Sequence, residues 1–279
     1  MKMDRERLTI TLKKSVLAQV DDFIDGTKIR NRSHAIENLI TQSLSPKVSQ
    51  AVILAGGPGV NMRPFSYEVP KGLFPIGGKP LLEHLIELLR DNGVRDLVFC
   101  IGHLGDKIKE HFGNGEKFGV KIRYVGEEKE EGTGGSLRKA RKLLEEKTFM
   151  VLHGDILVDI NLADFINFHK DQERVGTMAL TSVVDPSIYG EVSLRGATIL
   201  NFIEKPEKGK QTSQLINCGV YVFEPEIFDY LPEKGFVSLE DIYPKLAKDK
   251  QLAGFSFEGK WFDIGTPQAY EKAIKEWKK

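Results

Sequence analysis

The chain has 279 residues, of which 41% are hydrophobic, and 40 Lys and Arg balance 40 Asp and Glu. That supports a packed core and excludes disorder over most of the length. No apolar run approaches the ~20 residues of a membrane helix, and the charged N-terminus lacks the apolar stretch of a signal peptide, so no membrane partner is expected. The two cysteines, Cys100 and Cys218, lie in apolar strand-like runs. They are expected to be buried reduced thiols, which fits a cytoplasmic setting.

Residues 1–47 hold nine Lys and Arg against six Asp and Glu, so a small positive excess sits at this end. In Arg7–Leu12, Leu8, Ile10 and Leu12 alternate with Arg7, Thr9 and Thr11, which predicts a strand with one apolar and one polar face. Val16, Val20, Phe23 and Ile24 then form a helical stripe, which Gly26 closes. Ser33 reads as the N-cap of a second helix carrying Ile36, Leu39, Ile40 and Leu44. A lone strand leaves its edges unpaired, and so short a segment cannot bury both stripes, so pairing of two copies through an antiparallel ribbon is expected.

This strand–helix–helix order, with N-R-S-H-A-I, resembles the ribbon-helix-helix family of DNA-binding proteins over residues ~5–44. The resemblance implies a homodimeric arm, residues 1–44, whose ribbon enters the major groove. Arg7, Thr9 and Thr11 would read bases, and Ser33 at the second helix N-terminus would hold a phosphate. Asp4 and Glu6 would repel phosphate, which leaves open an arm that only dimerises. Pro46 breaks the helical pattern, so residues 45–50 form a linker.

Residues 51–279 form the large domain. Apolar runs at Ala51–Leu54, Leu97–Ile101 and Phe149–Leu152 predict buried strands. Helical patterns lie between them around Leu81–Asn92, Lys107–Phe112 and Gly135–Glu145. This alternation predicts an α/β fold with a doubly wound, mostly parallel sheet, and ligands at the carboxyl ends of its strands.

Chemistry-bearing residues fall at those ends. Leu54–Gly59 reads L-A-G-G-P-G directly after the first strand, where glycines let backbone N–H groups approach phosphates. It is neither a Walker A loop nor G-x-G-x-x-G. Lys71 could neutralise phosphate charge across this loop. Asp155 in V-L-H-G-D and Asp263 in W-F-D-I-G-T-P could hold one Mg²⁺ between phosphates.

Together L-A-G-G-x-G, P-K, G-K-P, G-T-G-G, G-D, E-K-P, N-x-G-x-Y and W-x-D-I-G-T-P resemble the sugar-phosphate nucleotidyltransferases, over ~Ala51 to Tyr270. The resemblance implies a GT-A-like fold. It also implies Mg²⁺-dependent attack of a sugar 1-phosphate on the α-phosphorus of a nucleoside triphosphate, giving a nucleotide sugar and pyrophosphate. On that resemblance Lys71, Asp155 and Asp263 are catalytic, and the two carboxylates are also the metal ligands. Leu54, Ala55, Gly56, Gly57, Gly59, Glu127, Gly132 and Thr133 hold the nucleotide. Gly190, Glu204, Lys205 and Asn217 hold the sugar phosphate. Glu127, where thymidylyl members tend to have Gln, can accept both N–H edges of guanine, which favours GTP.

One departure stands out. Where the resemblance expects Thr and Arg, the loop has Val60 and Asn61. That Arg normally neutralises the leaving pyrophosphate, and Pro58 also removes one N–H. The change bears on turnover more than on binding. The alternative function is therefore a DNA-binding regulator that senses a nucleotide sugar through an impaired transferase domain.

Overall fold

The computed structural model describes residues 8–26, 29–126 and 129–277 apart from 45–47. Contacts divide the chain into two compact units, Met1–Lys47 and Val48–Lys279.

In the first unit, α1 spans Lys14–Asp22 and α2 spans Arg32–Leu44. Residues 8–13 form no strand in this single chain. The reason is physical: their N–H and C=O groups have no second edge to pair with. Leu8, Ile10 and Leu12 are 79%, 45% and 37% exposed. Arg7 lies outside the described residues, and Thr9 and Thr11 are exposed. The expected cap at Ser33 is displaced by two residues. Asn31 takes that place, its Oδ1 accepting from the His34 N–H at 2.9 Å, while Ser33 lies inside the helix. The side-chain oxygen of Asn satisfies an orphan N–H there as well as Ser would. Gly26 is left-handed (φ 73°) but lies beyond the helix end at Asp22. Arg32 joins the helices through a fork onto Asp21, at 2.6 and 2.8 Å.

The second unit is built on a nine-stranded sheet. Its parallel half comprises β1 (Gln50–Ala55), β4 (Asp96–Ile101), β5 (Lys121–Gly126) and β6 (Phe149–His153). Between them run the small hairpin β2 (Pro75–Ile76) and β3 (Lys79–Pro80), and helices α3 (Leu81–Asp91), α4 (Gly105–Phe112) and α5 (Gly132–Ala140). Leu81, Leu82, Leu85, Ile86 and Leu89 make the buried stripe of α3. The spatial order β5-β4-β1-β6 places successive strands on opposite sides of β1. That is a topological switch point, where the strand ends diverge and leave a crevice.

After β7 (Ile156–Val158) and α6 (Leu162–Gln172) come β8 (Gly176–Ser182), β9 (Gly190–Arg195), β10 (Thr198–Glu204) and β11 (Leu215–Phe223). Helix α7 (Leu239–Lys248), β12 (Leu252–Ser256), β13 (Trp261–Asp263) and α8 (Pro267–Glu276) close the chain. In this half β11 runs antiparallel to both β6 and β8, and β10 antiparallel to β9 and β12, whereas β12 is parallel to β8. The all-parallel part of the sheet is thus confined to residues 50–153. The remainder is mixed: β9 and β10 are joined by a short turn, and β10 and β11 by residues 205–214 without a crossover helix.

Helix starts follow from local chemistry. Asn161 caps α6, with Oδ1 accepting from Ala163 and Asp164 at 3.1 and 3.2 Å. Ser238 and Asp241 form a reciprocal capping box at α7. Both cysteines are buried and outside any disulfide, as expected, and burial pushes the Cys218 thiol up to about 12. No helix among the described residues is long and apolar enough to cross a membrane.

Candidate active site

The loop after β1 lies at the switch point. The Gly154 N–H donates to the Leu54 carbonyl at 2.8 Å, and the His103 N–H to the Gly56 carbonyl at 3.2 Å. These bonds tie the β1 loop to the ends of β6 and β4. Gly59 is left-handed (φ 62°), and a Cβ there would come within 3.1 Å of the Lys71 side chain. A glycine at that place lets Lys71 lie across the loop. Leu54, Ala55, Gly57, Lys71, Gly72, Gly154 and Asp155 enclose a space of about 30 Å³.

Asp155 and Asp263 lie 108 residues apart in sequence, yet strand register brings them together. Antiparallel pairing of β13 with β7 sets Asp263 opposite Ile156, and the Ile264 N–H donates to the Asp155 carbonyl at 2.8 Å. Lys71 forms a salt bridge and hydrogen bond to Asp155 Oδ2. Burial works to raise the Asp155 carboxyl, but the Lys71 charge, the His153 charge and the Lys71 hydrogen bond together hold the group below its ordinary value. Burial also opposes the Lys71 charge, which Asp155 and then Asp263 hold above its ordinary value. Asp263 forms no such salt bridge among the described residues. Burial first, and then the Asp155 charge, push its carboxyl up to about 6.

A second cavity, of about 180 Å³, opens beside the carboxylates and shares Asp155 with the first. Its walls include Asp263, Gly190, Glu204, Lys205 and Asn217, so the sequence-predicted sugar residues converge here. Register explains this too: Gly190 pairs with Glu204 across β9–β10, and Ile216 with Glu191 across β11–β9. The Asn217 amide is fixed internally. Its Oδ1 accepts from the Gly219 N–H at 3.0 Å, and its Nδ2 donates to the Tyr221 hydroxyl at 2.7 Å. Lys205 Nζ lies 3.5 Å from Glu204. At Gly190 the glycine is required first by the protein's own packing, because a Cβ would meet the Phe202 ring at 2.4 Å.

Among the residues of this cavity that sequence reasoning missed are His153, Tyr189, Glu240 and Trp261. Tyr189 and Trp261 stack edge to face at 5.4 Å, and Trp261 is fixed by its Nε1–H donating to the Cys218 carbonyl at 2.9 Å. His153 Nε2 is buried without a hydrogen-bond partner among the described residues. Glu240 adds a carboxylate near Glu204. Burial, then the Glu240 charge, raise the Glu204 carboxyl. The capping-box pattern S-L-E-D could have placed Glu240 in the first turn of a helix, but not at a cavity.

Other expected site residues stand elsewhere. Gly132 and Thr133 open α5 and pack against the start of α7, with a Gly132 Cβ only 2.4 Å from the Val237 carbonyl. Glu127 lies outside the described residues. Asn61 sits exposed in the short helical turn Val60–Met62 and lines neither cavity. The Arg63 guanidinium sits over the Tyr67 ring at 5.0 Å.

Fold and site together define an open α/β domain with a charged ligand crevice at its switch point. Residues 50–279 match the Nucleotidyl transferase family, and the chain belongs to that family. Mannose-1-phosphate guanyltransferase beta-A of Xenopus laevis is 34% identical over 226 residues, covering 79% of this chain and 62% of that protein. UTP--glucose-1-phosphate uridylyltransferase of Synechocystis sp. is 35% identical over 243 residues, covering 81% and 62%. The chain thus spans 62% of the length of these curated relatives. Among solved structures, HddC from Yersinia pseudotuberculosis superimposes with a TM-score of 0.70 at 29% identity, covering 82% of this chain and 100% of that one. UDP-glucose pyrophosphorylase complexed with UDP-glucose has a TM-score of 0.72 at 22% identity, covering 82% and 97%, a likeness of fold alone.

Proposed function

We propose that the chain transfers a nucleotidyl group from a nucleoside triphosphate to a sugar 1-phosphate. The observation that carries this reading is the junction of two cavities at Asp155, one under the β1 loop and one lined by Glu204, Lys205 and Asn217. A phosphate oxygen of the sugar 1-phosphate forms a bond to the α-phosphorus, the α–β bridging bond breaks, and pyrophosphate leaves. Positioning and charge neutralisation supply the rate.

On this reading Leu54, Ala55, Gly56, Gly57 and Gly59 cradle the triphosphate, with Gly132 and Thr133 beside the base. Lys71 neutralises α-phosphate charge. Glu204 and Asn217 hold sugar hydroxyls, Lys205 the sugar phosphate, and Gly190 the floor beneath the ring.

A divalent cation fits Asp155 and Asp263. Both offer hard oxygen donors, and burial and then the Asp155 charge raise the Asp263 carboxyl, a charge penalty that a dication would relieve. No cluster of three or more His, Cys, Asp or Glu is suited to a metal among the described residues. Two carboxylates suit Mg²⁺, which draws its other ligands from phosphates and water. When bound, it would supply charge neutralisation on the phosphates.

The named relatives include guanylyl and uridylyl enzymes, and HddC has been solved with GMP-PN at 28% identity. With Glu127 as an acceptor for both guanine N–H edges, we favour GTP. Product analysis by mass spectrometry, with GTP, UTP, ATP and dTTP competing, is expected to show a GDP-sugar first. Preference for UTP would overturn that base assignment.

For the N-terminal unit we propose a ribbon-helix-helix arm that dimerises and binds DNA. Supporting it are the exposed Leu8, Ile10 and Leu12 together with Val16, Phe23 and Ile40, apolar side chains that a second copy would cover. Arg7→Ala is expected to weaken binding to a selected operator and relax specificity at one base. Unchanged DNA affinity in that variant would reduce the unit to a dimerisation arm, and a monomeric chain by light scattering would remove that role too.

A further inference from the structure

Thr133 opens α5 in the G-T-G-G stretch, yet its hydroxyl is directed to the sugar side of the site. Its Oγ1 accepts from the Leu239 N–H at 2.8 Å and donates to Glu240 Oε2 at 3.2 Å. A hydroxyl has one proton to give, so this donor–acceptor pair fixes where that proton points. The surrounding backbone is laced tightly. Val237 N–H donates to the Glu131 carbonyl at 2.9 Å, and the Gly134 and Gly135 N–H groups donate to the Val237 carbonyl at 2.9 and 3.1 Å. The left-handed Gly132 (φ 78°) permits this close approach.

Glu240 stands in the first turn of α7 and lines the larger cavity with Glu204 and Asn217. Its second carboxylate oxygen, Oε1, makes no hydrogen bond among the described residues. A carboxylate held at one oxygen and open at the other is a preorganised acceptor for a hydroxyl.

We propose that Thr133 is a positioning residue for the sugar, holding Glu240 so that Oε1 accepts from a hydroxyl of the sugar 1-phosphate. The inference rests on the transferase reading above and changes the part the Thr133 hydroxyl plays in it. The nucleotide-side helix α5 thereby sets the geometry of the sugar cavity.

The test is a comparison of Thr133→Val, Thr133→Ser and Glu240→Ala in steady-state kinetics, varying each substrate in turn. Thr133→Val is expected to raise the KM for the sugar 1-phosphate about 10-fold and leave that for the triphosphate unchanged. Thr133→Ser keeps both hydrogen bonds and is expected to restore the wild-type value. In the Glu240→Ala background, Thr133→Val is expected to add no further loss. A raised KM for the triphosphate would overturn the inference, because the hydroxyl would then serve the nucleotide. A lowered melting temperature with both KM values unchanged would overturn it also, leaving a structural role only. If the wild type turns over no substrate, the same comparison is read by calorimetric binding of sugar 1-phosphates and of GTP. Sugar affinity lost in Thr133→Val and regained in Thr133→Ser then supports the positioning role while the transferase reading fails. Absence of sugar 1-phosphate binding overturns both.

Discussion

Asp263→Asn is expected to lose pyrophosphate release by about 100-fold or more and yet to melt at a higher temperature than the wild type. The gain in stability follows from the raised carboxyl. With a folded-state value of about 6 against an ordinary 3.8, the folded chain holds this proton more tightly than the unfolded chain. The stability this gives is fully present below about pH 4 and is lost as pH rises through about 6, when a second charge appears beside Asp155. A shift of that size is worth roughly 3 kcal/mol before screening; partial exposure reduces it to on the order of 1–2 kcal/mol. Asparagine keeps the shape and carries no charge. In metal-free buffer the melting temperatures of variant and wild type should therefore be close at pH 4 and diverge by pH 8. Equal melting temperatures at pH 8 would show that the two carboxylates do not strain the fold. Wild-type turnover in the variant would remove Asp263 from the chemistry.

Asn61→Arg is expected to raise turnover about 10-fold or more, with little change in triphosphate affinity. Asn61 lies in an exposed turn of the loop that follows β1 and brings no charge to the departing pyrophosphate. Arg63, the nearest cation in sequence, rests on Tyr67. A guanidinium at residue 61 adds charge where the family resemblance expects it. The same kcat in both chains would mean that other residues already meet the pyrophosphate charge. A variant that turns over while the wild type only binds would identify the natural chain as the sensor of a regulator.

In the parallel half β1, β4 and β6 were legible because buried parallel strands are continuous apolar runs; the edge strand β5, with Lys121 and Arg123 in it, was not. Ala51–Leu54, Leu97–Ile101 and Phe149–Leu152 each fall inside an observed strand, which is one residue longer at both ends for β1, at the start for β4 and at the end for β6. From β7 onward the pattern is less regular: β7 has only three residues, Asn201 breaks β10 and Asn217 breaks β11, and the fold there depends on which edges meet rather than on local pattern. Site residues divide in the same way. Lys71, Asp155 and the β1 loop stand close to strands whose order the alternation implied. That Asp263 meets Asp155 depends on one antiparallel register, β13 with β7, which no local signal encodes. Glu240 stands outside every motif and His153 is the unused histidine of V-L-H-G-D, so only the assembled cavity gives them a role. The N-terminal unit shows the opposite limit: the alternation of Leu8, Ile10 and Leu12 is plain in sequence, yet residues 8–13 form no strand.

The most direct test of nucleotidyl transfer is the stoichiometry of products from the wild-type chain with Mg²⁺, GTP and a panel of sugar 1-phosphates. Pyrophosphate and a nucleotide sugar should appear one for one, and only when both substrates are present. Tight binding of a nucleotide sugar without any pyrophosphate, or release of inorganic phosphate in its place, would contradict the account.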